Sequence, residues 1–258
     1  MKWYLKHFEP CLNTLRTAPW YYTEARRLRA FKNRHLGEDC FIIGNGPSLN
    51  KMDLAALNDY HTFGMNKIYL IFKRVDLRLS YLVAVNELVI QQSREVYQSF
   101  PCPVFLSHRA AQKVIPHKDH IYRLLTTGGI SWSFAESIER PVYEGCTVTF
   151  VAMQLAYYMG FRRVFLVGVD HNFQQTGRPH EAQKMEGDDP NHFDPDYFKG
   201  QQWHLADLKG SELSYHLADY AYQRSGRRIF DATVGGKLQI FEKISLEDAL
   251  RMAKKRSS

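Results

Sequence analysis

The stretch EGCTVTFVAMQLAYYMGFRRVFLVGVD, Glu144 to Asp170, decides the fold. From Thr147 to Met159, small and apolar residues recur at helical spacing, and Gly160 stands where a helix closes on a left-handed residue. Val164 to Val167 then make an apolar run too short for a helix, ended by Gly168 and Asp170, which reads as a buried strand. Helix followed by buried strand is the rhythm of a parallel sheet covered by helices.

The same rhythm extends outward on both sides. Upstream, DCFIIGN (39–45), HTFGMN (61–66), LSYLVAVN (79–86) and CPVFLS (102–107) read as strands, with helical spacing over Met52–Leu57 and Glu87–Phe100. Residues 109–140 carry no clear period. Downstream, 211–226 reads as a helix ending at Gly226, RRIFDAT as the final strand, VGGKL as a turn, and SLEDALRMAKK as a closing helix capped by Ser245 and Asp248. Between Asp170 and Lys209 the composition turns polar and aromatic, rich in Pro and Gly. That length without periodicity reads as a lid rather than a plain connection. The expected architecture is α/β: a Rossmann-like, mostly parallel sheet with helices on both faces and a lid-like insertion. Its expected parts are a basic aromatic helical segment (1–38) at the periphery, a nucleotide-binding domain (39–245) with the lid at 171–209, and a C-terminal helix and basic tail (246–258).

Ligands of such sheets sit beyond the carboxyl ends of the strands. Four polar residues stand at those ends: Asn45, Asn66, Asn86 and Asp170. After the first strand comes Gly44-Asn45-Gly46-Pro47-Ser48-Leu49. Its glycines allow close backbone approach, and its amides read as a candidate anion nest. It is not a Walker loop, because no Gly-Lys-Ser/Thr follows, and Leu49 replaces the third glycine of a dinucleotide fingerprint. In the lid, His192 and His204 are candidate acid–base groups. The lid carboxylates Asp188, Asp189, Asp194 and Asp196 read either as a divalent metal site or as a solvated face.

Composition narrows the classes. The chain is 45% hydrophobic and 24% charged, with no long charge-free apolar run, so no membrane-spanning helix is expected. No secretory signal is legible, which gives a cytoplasmic expectation. The charge of +7 gathers at the two ends, beside Trp3, Tyr4, Phe8, Trp20, Tyr21 and Tyr22. That pairing suggests contact with an anionic membrane face. Cys11, Cys40, Cys102 and Cys146 show neither disulfide nor zinc spacing. Nucleophile elbows and nucleic-acid modules are absent.

IIGNGPSL, FGMNKIYL, VAVNEL and LAYYMGFRRVFLVGVDHNF together resemble the bacterial sialyltransferases of glycosyltransferase family 42. The chain as a whole, NHFDPDYFKGQQWH above all, is more similar still to the MptE-like family, named for a hydroxymethylpterin diphosphokinase and tied to nonulosonic-acid handling. The sialyltransferase resemblance implies a CMP-sugar donor bound without metal or other cofactor, contacts from the strand-end asparagines, and a lid histidine as general base. His204 matches that base and His192 the earlier histidine. The sequence departs from that family at the helix entry, where Thr147 and Thr149 stand. It also lacks the tyrosine pair near the aspartate strand: Phe173 is the nearest residue, Tyr197 is a candidate to supply one phenol, and Trp203 is a further lid residue. The resemblance implies glycosyl transfer from a nucleotide sugar to a glycan or lipid-linked acceptor. The leaving phosphate would be held by the Gly44–Ser48 amides with Thr147 or Thr149. A homo-oligomer is an open expectation, and no nucleic-acid partner is expected. The alternatives are a diphosphokinase using ATP and Mg²⁺ on the acidic loop, and a non-catalytic nucleotide-binding protein of a glycan assembly system.

Overall fold

The computed structural model describes residues 17–256. The basic and aromatic residues from Lys2 to Phe8, and Cys11, lie outside the described residues. The strands are β1 Asp39–Ile43, β2 His61–Met65, β3 Tyr81–Ala84, β4 Val104–Ser107, β5 Ile121–Leu124, β6 Thr126–Thr127, β7 Val142–Tyr143, β8 Arg163–Val167, β9 Ala182–Lys184, β10 Gln202–His204, β11 Arg228–Asp231 and β12 Glu242–Lys243. The α-helices are α1 Glu24–Leu28, α2 Glu87–Gln92, α3 Arg94–Gln98, α4 His108–Ala111, α5 Val148–Tyr158, α6 Leu208–Arg224 and α7 Leu246–Met252.

Eight strands form one sheet in the order β12-β11-β8-β1-β2-β3-β4-β5. Every pairing within it is parallel. Both faces are covered, so the strands read as continuous apolar runs rather than alternating ones. Their residues still divide by period two. Cys40 and Ile42 of β1, with Val164 and Leu166 of β8, enter the core under α5 and α6. Phe41, Ile43, Phe165 and Val167 enter the opposite core. There the rings of Phe41, Phe165 and Phe230 stack across three strands at centroid distances of 5.2 and 5.4 Å, which rewards one register.

The chain builds outward from β1 to β5, then returns to place β8 on the other side of β1. The β1–β8 boundary is therefore the switch point where connections diverge and a crevice opens. The long helix expected from residue 147 runs from a Thr147 cap to Tyr158, and Gly160 at φ +92° ends it. Ser245 caps α7 and also donates to Asp248.

Several expectations change. Residues 17–31 are not peripheral. Trp20, Leu28 and Phe31 are buried in the first core, and Trp20 Nε1 donates to the Arg123 carbonyl. Arg27 lies 4.6 Å above the Tyr122 ring and donates to the Ile121 carbonyl, so this segment covers the β5 edge. Of its described aromatics, Tyr22 and Tyr21 are the exposed ones. In the C-terminal tail, Lys255 pairs with Asp59 and the Lys254 amide donates to buried Asp39. The span 109–140 holds β5 and the short strand β6, which pairs with β7 just beyond it. Met52–Leu57 is replaced by a 3₁₀ turn, Ala55–Asp59. Ser93 divides the helix expected over 87–100. RRIFDAT is followed by a further edge strand, β12. No helix among the described residues is long and apolar enough to cross a membrane.

Candidate functional site

Because β8, β1, β2 and β3 are neighbours and parallel, Asp170, Asn45, Asn66 and Asn86 emerge side by side along one edge of the sheet. All four line a cavity of about 290 Å³. The lid residues Phe173, His192, Trp203 and His204 close it from above, and the start of α5, Thr147 and Thr149, forms one wall. Pro47, Ser48 and Tyr197 do not reach it.

The glycine loop is a structural joint and not an anion nest. The Gly44 amide donates to the Val167 carbonyl at 2.7 Å and the Gly46 amide to the Gly168 carbonyl at 2.9 Å. Ser48 donates its amide to Asp170 Oδ1 at 3.1 Å and its hydroxyl to Oδ2 at 2.6 Å. Pro47 has no N–H. These amides are thus spent within the protein. The glycines serve the joint: a Cβ on Gly44 would meet the Gly168 carbonyl oxygen at 2.1 Å, and one on Gly46 would meet Asp170 Oδ2 at 1.8 Å. Burial pushes the Asp170 carboxyl upward, and the two Ser48 hydrogen bonds hold it down. Ser48→Ala removes one donor from this part-buried carboxylate. It is expected to cost about 1–2 kcal/mol in denaturant unfolding while leaving ligand affinity unchanged.

The asparagines divide into two kinds. Asn45 Nδ2 donates to the Met65 carbonyl at 3.1 Å, which fixes its amide. Its Oδ1 is buried without a partner, and so is Asn66 Oδ1. Asn66 sits at φ +50°, a left-handed conformation that asparagine tolerates better than most residues. A buried carboxamide oxygen without a donor is costly, so two together on adjacent strand ends ask for a ligand that brings N–H or O–H groups. Asn86 is different. Its Oδ1 accepts from the Leu88 and Val89 amides and caps α2.

That cap sets the state of His204. With Oδ1 committed to the helix, only Nδ2 of Asn86 can face His204 Nδ1, 3.0 Å away. Nδ2 is a donor only, so Nδ1 is the acceptor and the ring proton sits on Nε2. Burial and nearby His180 push the His204 pKa down, which keeps the ring neutral. In this arrangement His204 Nε2 carries an N–H donor.

His192 is its opposite. Its Nδ1 lies 2.8 Å from Oδ2 of buried Asp189, and Asp189 Oδ1 accepts the Asn191 amide at 2.9 Å. The carboxylate accepts a hydrogen bond from Nδ1–H, and in that tautomer Nε2 is left as an acceptor beside the cavity. Tyr197 stacks on the His192 ring at 4.0 Å and 6°. Tyr197 thus braces the His192 ring rather than offering its phenol, since its Oη accepts the Lys67 amide. Asp189 is the missed residue. Its signal in the sequence was the Asp-x-x-His spacing at 189–192, read there as part of an acidic loop.

The distal part of the expected lid packs into the core. Phe193, Tyr197, Phe198, Trp203 and Leu205 are buried in the second cluster. The Phe193 amide donates to the Asn45 carbonyl, and Asn50 Nδ2 donates to the Phe193 carbonyl. Lys67 Nζ reaches inward to the Tyr197 carbonyl and lies 4.5 Å above the Phe198 ring; desolvation brings its pKa down to about 8. The exposed part is mainly 174–188. The lid aspartates do not converge. Asp188 and Asp196 pair with Lys199 at the surface, Asp189 holds His192, and Asp194 Oδ1 accepts the Asp196 amide.

The sequence matches the family model described as 6-hydroxymethylpterin diphosphokinase MptE-like over residues 12–176. No curated protein matches it. Among solved structures it is similar to one titled MAf glycosyltransferase from Magnetospirillum magneticum AMB-1, with a TM-score of 0.55 and 14% identity. The similarity covers 91% of this chain and 39% of that one, so the chain spans well under half the length of that relative.

Proposed function

This chain belongs to the MptE-like family, and from the geometry of its pocket we propose that it is a glycosyltransferase. It moves a sugar of nonulosonic-acid type from a CMP-activated donor to a hydroxyl of a glycan or glycoconjugate. The observation that carries this reading is the pair of pocket imidazoles with unlike partners, His192 Nδ1 on the Asp189 carboxylate and His204 Nδ1 on the Asn86 amide, which we read as opposite tautomers, Nε2 an acceptor in His192 and a donor in His204.

Transfer to a hydroxyl needs both. His192 Nε2 takes the acceptor proton while the acceptor oxygen bonds the anomeric carbon. The bond from that carbon to the CMP phosphate breaks, and the phosphate leaves with the electron pair. The His204 N–H and the α5 N-terminus at Thr147–Thr149 meet the charge that develops there. Asp189 keeps His192 in the accepting tautomer and stabilises the imidazolium it becomes. Asn45 Oδ1 and Asn66 Oδ1 suit the amino group of cytosine or ribose hydroxyls. The similarity in fold to a structure titled as a glycosyltransferase accords with this reading.

The family's description as 6-hydroxymethylpterin diphosphokinase-like favours a second reading, diphosphate transfer from ATP with Mg²⁺. The dispersed lid aspartates give it no acidic cluster to hold that ion. A thermal-shift panel of CMP, CDP, UDP, GDP and ATP, with and without Mg²⁺, separates the cases. CMP at 100 times its Kd is expected to stabilise the protein by about 2.7 kcal/mol without metal. Stabilisation by ATP with Mg²⁺ alone establishes the second reading. No response to any nucleotide overturns both.

A further inference from the structure

Three side chains that the transfer chemistry leaves unused converge at the mouth of the pocket. Cys146 precedes the Thr147 cap of α5, Asp207 caps α6, and His180 belongs to the exposed arm of the lid. Their ligating atoms all lie within 4.8 Å of one another, with His180 Nε2 at 3.3 Å from Asp207 Oδ2. A tetrahedral centre with bonds near 2.0–2.3 Å spaces its ligands by about 3.3–3.8 Å, so one edge already has the right length and the others need only small side-chain rotations. Gly210 keeps the space open: a Cβ there would lie 2.7 Å from both Cys146 Sγ and Asp207 Oδ2.

From this we propose that Cys146, His180 and Asp207 bind a divalent cation of the zinc class, with its fourth position open toward the pocket. A thiolate and an imidazole select zinc or cobalt over magnesium or calcium, which take oxygen ligands. On binding, the thiol proton passes to solvent and a metal–sulfur bond forms. Each ligand comes from a different segment, so the ion ties the exposed lid arm to the first turns of α5 and α6. The inference is independent of the transferase reading, because zinc alone reports on it.

The test is titration of the full chain, stripped of metal, with Zn²⁺ against a chromophoric chelator, and with Co²⁺ in the visible and near-ultraviolet. One Zn²⁺ per chain and a thiolate-to-cobalt charge-transfer band are expected. Cys146→Ser should abolish the band. His180→Ala, at an exposed position that perturbs folding least, and Asp207→Asn, which keeps the α6 cap, should each weaken zinc binding by more than about 100-fold, beyond the loss typical of outer-shell changes. Absence of stoichiometric binding in the parent chain overturns the site, and so does binding that survives both Cys146→Ser and His180→Ala.

Discussion

Replacing His192 with Gln is expected to lower the rate of CMP release from a CMP-sugar by about 10²–10⁴-fold, the range typical of a lost general base. CMP affinity should stay within a few-fold of the parent. Gln is chosen because Asp189 is buried and its carboxylate needs a donor where His192 Nδ1 now stands. His192→Ala would leave that carboxylate unpaired, and removing one partner of a buried pair costs about 3–5 kcal/mol. Rate loss would then be confounded with unfolding. Asp189→Asn is the companion. The new amide can keep its oxygen on the Asn191 amide and turn its nitrogen toward His192, which moves the ring proton to Nε2 and removes the accepting nitrogen. A loss of the same order is expected with the protein still folded. Full activity in either folded variant removes His192 from the mechanism.

The strands were legible because a sheet covered on both faces demands uninterrupted apolar runs, and DCFII, YLVA, VFLS and RVFLV have no other use. Their polar terminators were legible for the same reason: Asn45, Asn66, Asn86 and Asp170 each break such a run. That they stand in one row follows from the strand order β8-β1-β2-β3, which no local pattern encodes. β5 escaped because Ile121 and Leu124 are buried while Tyr122 and Arg123 between them are not, so neither a run nor an alternation appears. The burial of the distal lid escaped because its apolar residues are irregularly spaced aromatics among polar ones. Their packing depends on contacts from afar, such as Lys67 to Tyr197 and Asn45 to Phe193. The division of labour between the histidines was the least legible feature. The residues alone place both in the lid with equal claims, and the family resemblance favours His204 as the base. It is long-range partners, a helix-capping Asn for one and a buried Asp for the other, that make one a donor and the other an acceptor.

This origin of the His204 tautomer makes Asn86→Asp the sharpest test of the site. Asp caps helices as well as Asn, and its charge at the first turn of α2 is favourable, so Oδ1 keeps the Leu88 and Val89 amides and the fold is retained. The change falls on the other atom. Where Asn86 Nδ2 donates to His204 Nδ1, the carboxylate oxygen can only accept, so the proton moves to Nδ1 and Nε2 becomes an acceptor. If His204 serves as a donor to the departing phosphate, the neutral variant loses that interaction, and CMP release should fall by about 10²–10³-fold, the cost of one oxyanion donor. The new carboxylate also raises the His204 pKa, because it favours the imidazolium. Below that raised pKa both ring nitrogens carry protons and the donor returns. The ratio of variant to parent activity should therefore climb as pH falls through the raised value and collapse above it. In the parent, the Nε2 proton persists in both the neutral and the charged ring, so His204 imposes no such loss. A general base responds in the opposite sense: an Asp behind Nδ1 would improve it, and Asn86→Asp would raise activity at neutral pH. Such a gain would return His204 to the role of base and overturn the assignment of donor and acceptor between the two histidines.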